Sequence, residues 1–289
     1  MNHSIFNMSL PRRTIRPVSS FLPVVLAILL CFNVNVHALS IEEEAQAGDV
    51  FLSHISRYRS FVKTDFTDKY LNDIGGWLLR HIDNQPFTFR FYIIKDSSIN
   101  AFAAPGGHIF FCSGLISASD NLDEMASVLA HELGHVTARH ISNRIDQNMK
   151  LGIVTIVGVL AGIFMGGEVG QALVTGSMAA NIQAQLSFSR SDERQADQLG
   201  LNYMEAAGID PEGFISIMSK IQKSQWYLSS QIPSYLMTHP SGPERMATLE
   251  SMMKREEGNK NVPEMQRLRT LFPVFKAIVL ANSASSEVA

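Results

Sequence analysis

The sequence predicts an α+β fold in which a small sheet lies early in the chain and helices dominate the remainder. Residues typical of strands are concentrated between positions 85 and 112, whereas helical periodicity and capping signals dominate from Leu122 onward. No internal repeat and no Pro/Gly/Ser-rich linker divides the sequence after residue 38. We therefore expect one domain over residues 39–289, with its core at about 40–252.

Composition and charge exclude several classes of protein. The chain has 289 residues, of which 46% are apolar and 18% charged, and this is not the composition of a disordered or collagen-like protein. The 24 Lys and Arg residues are outnumbered by 27 Asp and Glu residues, for a formal net charge of −3. Since this balance predicts no basic surface, we expect no nucleic-acid partner.

The first 38 residues have the features of a secretory signal peptide. Three arginines and no acid precede an uncharged apolar segment at 21–32, and Ala38 follows as a small residue suited to cleavage. We expect cleavage after Ala38 and a periplasmic location for the mature chain. The alternative is an uncleaved membrane anchor, but this apolar segment spans too little of a hydrocarbon layer about 30 Å thick.

Two helices are predicted at the start of the mature chain. Ser40 and Glu43 form a capping-box pattern, which opens a helix running to about Tyr58. A second helix is expected over residues 67–82, because apolar residues recur there at helical spacing.

The predicted strands come next. Residues 85–95 are rich in β-branched and aromatic side chains, as strands are. Residues 100–107 and 108–112 are expected to hold two short strands joined by a Pro-Gly-Gly turn.

From Leu122 a long helix follows, and later residues indicate further helices. Asp210-Pro211 is a helix-start pattern, and residues 241–244 form another capping-box pattern. A helical tail is predicted over 263–282, interrupted near Pro273.

The long helix carries a pattern typical of metal chemistry. His131 and His135 are four positions apart, so both imidazoles project from one helix face, one turn apart. Two neutral imidazoles at this spacing can bind one Zn²⁺ ion, and Glu132 is placed to act on water as a general base. The motif alone is only suggestive, and it leaves one protein ligand to be found.

The missing ligand is not expected within the same helix. Metzincin peptidases add a glycine three residues and a histidine six residues after the second histidine, but Ala138 and Ile141 occupy these positions. Helical geometry points His140 well away from His131, so we expect His140 to be a surface or core histidine.

A second helix offers suitable acids. Glu193 lies 58 residues beyond His135 and could complete the site, while Asp197, one turn further on, could orient a ligand imidazole. The alternative, that both acids belong to a solvated face, is weaker beside a helical HExxH motif.

Four motifs in this order resemble the HtpX and CAAX-prenyl-protease family of zinc metallopeptidases, and within it the periplasmic BepA-like members. The motifs are NAFAAPGG at 100–107, HELGH at 131–135, SDERQAD at 191–197 and THPS at 238–241. The resemblance implies a gluzincin-type fold with a small sheet whose edge strand flanks the active site. The 50 residues after His239 show no tetratricopeptide repeat, which some BepA-like members carry.

The resemblance also implies a role for each matching residue. It places one Zn²⁺ ion per chain on His131, His135 and Glu193, with Glu132 as catalytic general base and Asp197 behind the ligands.

The same resemblance implies a substrate-binding edge strand. Its residues are Asn100, Ala101, Phe102 and Ala103, on which an extended polypeptide would pair through main-chain hydrogen bonds. Without the resemblance, an ordinary edge strand would explain these residues equally well.

His239 lies in a His-Pro loop that the resemblance connects to the metal. In BepA-like relatives the matching histidine can reach the zinc, so we hypothesise that His239 is a reversible plug and regulatory fourth ligand. The alternatives are a transition-state donor and a structural loop histidine. Arg245 could anchor this loop, although a solvated helix arginine would explain it equally well, and no Tyr or Arg is identified as an oxyanion stabiliser.

Residues 151–189 form an apolar stretch in which Glu168 is the only charged residue. We expect a helical hairpin that contacts substrate or the membrane surface. Insertion into the membrane is the alternative, but the uncharged run 151–167 is short of the about 20 residues that a spanning helix needs.

The resemblance, together with the metal-binding motif, implies a zinc-dependent metalloendopeptidase for protein quality control in the cell envelope, with unfolded or misassembled polypeptides as substrates. The first alternative is a chaperone-like or binding protein whose zinc site is closed and catalytically silent. The second is a membrane-embedded protease with the same chemistry.

Overall fold

In the computed structural model of this chain, helices pack around a three-stranded sheet. The residues that the structure describes are 39–147, 188–227, 234–240, 242–253 and 262–284. The strands are β1 (Arg90–Ile94), β2 (Ala101–Ala104) and β3 (His108–Cys112). Their order is β1-β3-β2, with β1 parallel and β2 antiparallel to the central strand, so β2 lies at an edge.

Helices dominate the described residues, and this confirms the predicted α+β class. Their bounds are α1 (Ile41–Tyr58), α2 (Asp65–Leu79), α3 (Ser113–Ala118), α4 (Leu122–Thr137), α5 (His140–Gln147), α6 (Arg190–Ala207), α7 (Glu212–Tyr227), α8 (Ser234–Thr238), α9 (Pro243–Met252) and α10 (Pro263–Ala284).

The first helix and the β2–β3 turn form as predicted. Ser40 and Glu43 exchange reciprocal side-chain to backbone hydrogen bonds, and this capping box opens α1. The turn is a short 3-10 segment in which Gly106 and Gly107 have φ angles of 73° and 81°. Glycine adopts this left-handed region without steric cost, which explains the Pro-Gly-Gly sequence.

Two helix starts differ from the prediction. α2 begins at Asp65, because the Thr64 hydroxyl accepts a hydrogen bond from the N–H of Thr67 and caps the helix earlier than expected. α9 is capped by Gly242, whereas the capping box predicted at 241–244 places the cap at residue 241. Pro243 takes the first helical position, where proline is favoured, and this sets the cap one residue later than predicted.

α10 continues through Pro273, where the sequence predicted an interruption. Proline removes one helical hydrogen bond, but tertiary contacts hold the helix on both sides of it. Tyr70 of α2 donates a hydrogen bond to a main-chain carbonyl of α10 and stacks on one of its aromatic rings. The residues of α10 that are buried against the core are Met265, Leu268, Phe272, Phe275 and Val279.

The aromatic core lies between α1 and the sheet. Phe51 of α1 makes an edge contact with Phe102 of β2, with ring centroids 6.2 Å apart. Phe110 of β3 stacks on Phe102 at 5.0 Å. These buried rings fix β2 from one side and leave its outer edge directed towards α4.

α4 and α6 approach each other closely at glycines. A Cβ added to Gly134 of α4 would lie 2.8 Å from the carbonyl oxygen of Ala196, which is closer than real Cβ atoms come. A Cβ on Gly200 of α6 would lie 3.2 Å from the backbone of His131. The absence of side chains at both positions therefore sets the short distance between the two helices.

Two predictions concern residues outside those described. They are the signal peptide at 1–38 and the apolar stretch 151–189, of which the structure describes only Phe188 and Ser189. Among the described helices, none combines the length and the apolar character needed to cross a bilayer.

Candidate metal centre

α4 holds the two histidines of the HExxH motif in the protein interior. The side chain of Asn121 accepts a hydrogen bond from the N–H of Glu124 at 3.0 Å and caps the helix. Nearly every residue of α4 is buried, including His131 and His135, which have no exposed surface. Buried imidazoles of this kind require polar or metal partners.

Glu193 comes from the first turn of α6 and reaches both histidines. A capping box between Ser189 and Asp192 starts the helix just before it. Carboxylate oxygens of Glu193 lie 3.4 Å from Nε2 of His135 and 3.6 Å from Nε2 of His131. The two Nε2 atoms are 3.0 Å apart. The structure thus brings together the three residues predicted as ligands.

His239, immediately after α8, joins them as a fourth member of the cluster. Its Nδ1 lies 3.0 Å from Oε1 of Glu193 and 3.3 Å from Nε2 of His131. One potential ligand atom from each of the four side chains lies within 4.8 Å of the others, and all four side chains are buried.

These separations fit a metal ion. A tetrahedral ion with bonds of about 2.0–2.1 Å holds its ligand atoms about 3.3 Å apart. The five separations given above range from 3.0 to 3.6 Å. With the protons of His131 and His135 on their Nδ1 atoms, the two Nε2 lone pairs would face each other at 3.0 Å, and a cation between them would remove this repulsion.

The electrostatics of the cluster favour a bound cation. Burial lowers the pKa of His135 well below its ordinary value, so its imidazole is neutral, as a ligand must be. Burial opposes ionisation of Glu193, but the charges of His239 and Arg245 outweigh it and lower the pKa of this carboxyl. Burial also disfavours a charged His239, yet Glu132 and Glu193 together raise its pKa. The carboxylates thus attract positive charge, which a metal ion would supply.

Glu132 lies between the cluster and the β2 edge. Its Oε2 accepts a hydrogen bond from the N–H of Ala103 at 3.0 Å, and its Oε1 lies 3.5 Å from Nε2 of His239. Burial raises the pKa of Glu132. A carboxylate with a raised pKa accepts a proton more readily, which suits a general base.

Two of the four predicted edge residues direct their main-chain groups into the same space. The main-chain oxygen of Asn100 accepts a hydrogen bond from the N–H of Cys112 in β3. Because the inward and outward groups of an antiparallel strand alternate, Phe102 also faces β3, whereas Ala101 and Ala103 direct their main-chain groups outward.

Two charged residues lie behind the ligands. Asp197 places Oδ1 3.0 Å from Nδ1 of His131, where the sequence predicted an orienting carboxylate. Arg245 of α9 forms ion pairs with Asp197 at 2.7 Å and Glu193 at 2.5 Å. Only 8% of its side chain is exposed, so Arg245 ties the His239 segment to α6 and is not a solvated helix arginine.

Sequence reasoning missed the contacts of two buried residues. Tyr235 of α8 stacks on His239 with centroids 4.5 Å apart, and its hydroxyl has no hydrogen-bond partner among the described residues. His140 is absent from the four-residue cluster, as expected, but it contacts His135 directly. The prediction assumed a continuous helix, whereas the chain turns at Arg139, whose φ of 55° no sequence signal indicated.

The chain is similar to known peptidases. The sequence pattern of peptidase family M48 matches residues 66–253, which include the whole cluster. The beta-barrel assembly-enhancing protease of Escherichia coli (strain K12) is 32% identical over 212 residues, or 72% of this chain. The metalloprotease LoiP of the same organism is 29% identical over 196 residues, covering 65% of this chain and 71% of that protein.

A mitochondrial protein is also similar to this chain. The metalloendopeptidase OMA1 of Schizosaccharomyces pombe is 24% identical over 213 residues, covering 73% of this chain and 61% of that protein. The chain spans less than half the length of the beta-barrel assembly-enhancing protease, 43% of it.

Proposed function

Because the chain belongs to peptidase family M48, we propose that it is a zinc-dependent metalloendopeptidase that hydrolyses peptide bonds in unfolded or misassembled envelope proteins. The membership confirms the resemblance read from the motifs and implies a metal cofactor. The observation that carries the proposal is the buried cluster of His131, His135, Glu193 and His239, with Glu132 between it and β2. Relatives named as proteases support the activity, and the beta-barrel assembly-enhancing protease supports the envelope as its place.

Three side chains would hold the metal. His131, His135 and Glu193 form a two-imidazole, one-carboxylate set that is typical of catalytic zinc. Bound zinc supplies Lewis acidity, which polarises a peptide carbonyl and acidifies water. The carboxylate of Asp197, 3.0 Å from Nδ1 of His131, would favour the proton on that nitrogen and so direct the Nε2 lone pair of the ring into the cluster.

Glu132 would serve as general base and then as general acid. Its buried carboxylate, with a raised pKa, accepts the proton of the attacking water and passes it to the leaving nitrogen. The hydrogen bond from Ala103 holds this carboxylate beside the edge strand.

The substrate would bind as an extended strand along β2. Ala101 and Ala103 offer outward main-chain groups, and such pairing sets register without selecting side chains. This suits unfolded polypeptides of varied sequence. Since the N–H of Ala103 donates to Glu132, pairing at that position requires the carboxylate to release it.

The proposed function also includes how the activity is regulated and where the protein acts. His239 would be a reversible plug that occupies the fourth position of the cluster until its loop moves. Cleavage after Ala38 would release the mature chain into the periplasm, and residues 151–189 would contact the membrane surface.

Casein cleavage by the purified mature protein and its Glu132→Gln variant tests the activity, with zinc content measured for both. We expect both proteins to hold zinc and only the parent to cleave, because general-base loss typically costs 10²–10⁴-fold in rate. Glu42→Gln, on the exposed side of α1, is the matched control and should cleave like the parent.

Two other outcomes are informative. Equal cleavage by parent and Glu132→Gln would contradict the assigned base. No cleavage by either protein, with zinc bound in both, would instead favour a closed, silent site.

A further inference from the structure

His140 contacts the nitrogen of His135 that points away from the cluster. The Nδ1 atoms of the two rings lie 3.0 Å apart, with the ring planes at 73°. On its other side, Nε2 of His140 lies 3.1 Å from Oε1 of Gln195, two positions after Glu193 on α6. His140 is only 2% exposed, so these side chains and not bulk water satisfy its nitrogens.

The hydrogen bonds among these side chains have one consistent direction if His135 binds a metal. Coordination through Nε2 of His135 requires its Nδ1 to carry the proton. That N–H then donates to Nδ1 of His140, so His140 carries its own proton on Nε2 and donates to the Gln195 oxygen. The opposite tautomer of His140 would set two N–H groups against each other at 3.0 Å.

We propose that His140 is a positioning residue for the metal ligand His135. With Gln195 behind it, His140 selects the tautomer of His135 whose Nε2 lone pair faces the cluster. His131 has a carboxylate, Asp197, in the equivalent place. A neutral acceptor behind His135 does the same without adding negative charge near Glu193. The inference rests on the metal site of the proposed function.

The backbone brings His140 to this place through a conformation that needs support. Arg139 has a φ of 55°, which is uncommon for a residue other than glycine. Its guanidinium forms an ion pair with the buried Glu44 at 2.9 Å and donates to the carbonyl of Leu39. These contacts, one to α1 and one to the residue just before its cap, hold the turn that directs His140 back onto His135.

Metal affinity and the visible spectrum of the Co²⁺ form test the inference on the exported protein after metal removal. For His140→Leu we expect zinc binding about 10–100-fold weaker in competition with a chelator, and an altered cobalt spectrum. In His140→Asn an amide oxygen can accept the same hydrogen bond, so affinity and spectrum should remain close to the parent. His54→Leu, on α1, is the control and should change neither.

A second pair of variants covers the case in which His140→Leu does not fold. Gln195→Leu removes the acceptor behind His140, whereas Gln198→Leu changes a second exposed glutamine of the same helix, which contacts Asn202 instead. We expect weaker zinc binding in Gln195→Leu only.

The inference is overturned if His140→Leu keeps parental affinity and spectrum, or if His140→Asn loses as much as His140→Leu. Equal affinities for the two glutamine variants also overturn it. A parent protein that binds no Zn²⁺ or Co²⁺ would overturn the metal site itself, a distinct result.

Discussion

Several single-residue contacts fasten the segment that carries His239 over the other ligands. The N–H of Phe188 donates to the carbonyl of Thr238 at 3.0 Å, and the Tyr235 ring stacks on His239. Arg245 ties the far end of the same segment to Asp197. For the segment to move, these contacts have to break together, so an open state would be a minor population.

Substitution of His239 distinguishes its three possible roles. If His239 is a plug and the open state is 1–10% populated, His239→Ala should raise casein cleavage by about 10–100-fold at low substrate concentration. Met237→Ala, which changes an exposed side chain of α8, is the control. Loss of cleavage in His239→Ala with zinc retained would indicate a transition-state donor, and unchanged cleavage would indicate a structural histidine.

At the scale of helices, the metal ligands meet because α4 and α6 approach closely. His131 and His135 lie on α4 and Glu193 on α6, and Gly134 sits in the contact between the two helices. Gly134, inside the HExxH motif, is therefore needed for the packing of the two helices, apart from any part in metal binding. Any side chain there would push Glu193 away from the histidines.

Gly134→Ala should destabilise the protein and weaken metal binding. Its Cβ would meet the Ala196 carbonyl at 2.8 Å, and overpacking of this kind costs about 1–3 kcal/mol. Gly76→Ala on α2 is the control: apart from the backbone of its own helix, no atom lies within 4 Å of its Cβ, so the helix should gain about 0.5–1 kcal/mol. Urea unfolding and zinc affinity measure both effects, and equal stability of the two variants would contradict this account.

At the scale of the whole described domain, α10 connects helices that are distant in sequence. Arg269 forms a bidentate ion pair with Asp123 at the start of α4 and donates to the carbonyl of Gly208 at the end of α6. Lys276 donates to the carbonyl of Ser119, next to α3. α10 thereby holds the ends of both ligand-bearing helices, although no metal ligand lies on it.

Arg269→Ala should lower the free energy of unfolding more than Arg267→Ala. Loss of a partly buried charged pair costs about 1.5–3 kcal/mol, since Oδ2 of Asp123 would lose its donor while Oδ1 keeps only the N–H of Asp210. Arg267 is 46% exposed and pairs with Glu264 and Asp73 at the surface, where solvent screens the charges, so its loss should cost less than the loss of Arg269. Denaturant unfolding decides this, and similar losses would show that α10 is not held through Arg269.

The sequence by itself determined the features that depend on local geometry. Histidines four positions apart must share a helix face, Pro-Gly-Gly suits a left-handed turn, and Ser40 with Glu43 caps α1 wherever that helix packs. A zinc site with two histidines also requires a further protein ligand, and this requirement identified Glu193 as a candidate from the sequence.

The tertiary structure alone decided which polar residues lie behind the ligands. An arginine in a helix has the same local sequence pattern whether it is solvated or, like Arg245, buried between two acids. His140 reaches His135 only because contacts with α1 hold Arg139 at positive φ, and α10 passes Pro273 because both of its halves are buried. In each case a contact between residues far apart in the chain outweighs the conformation that the local sequence favours.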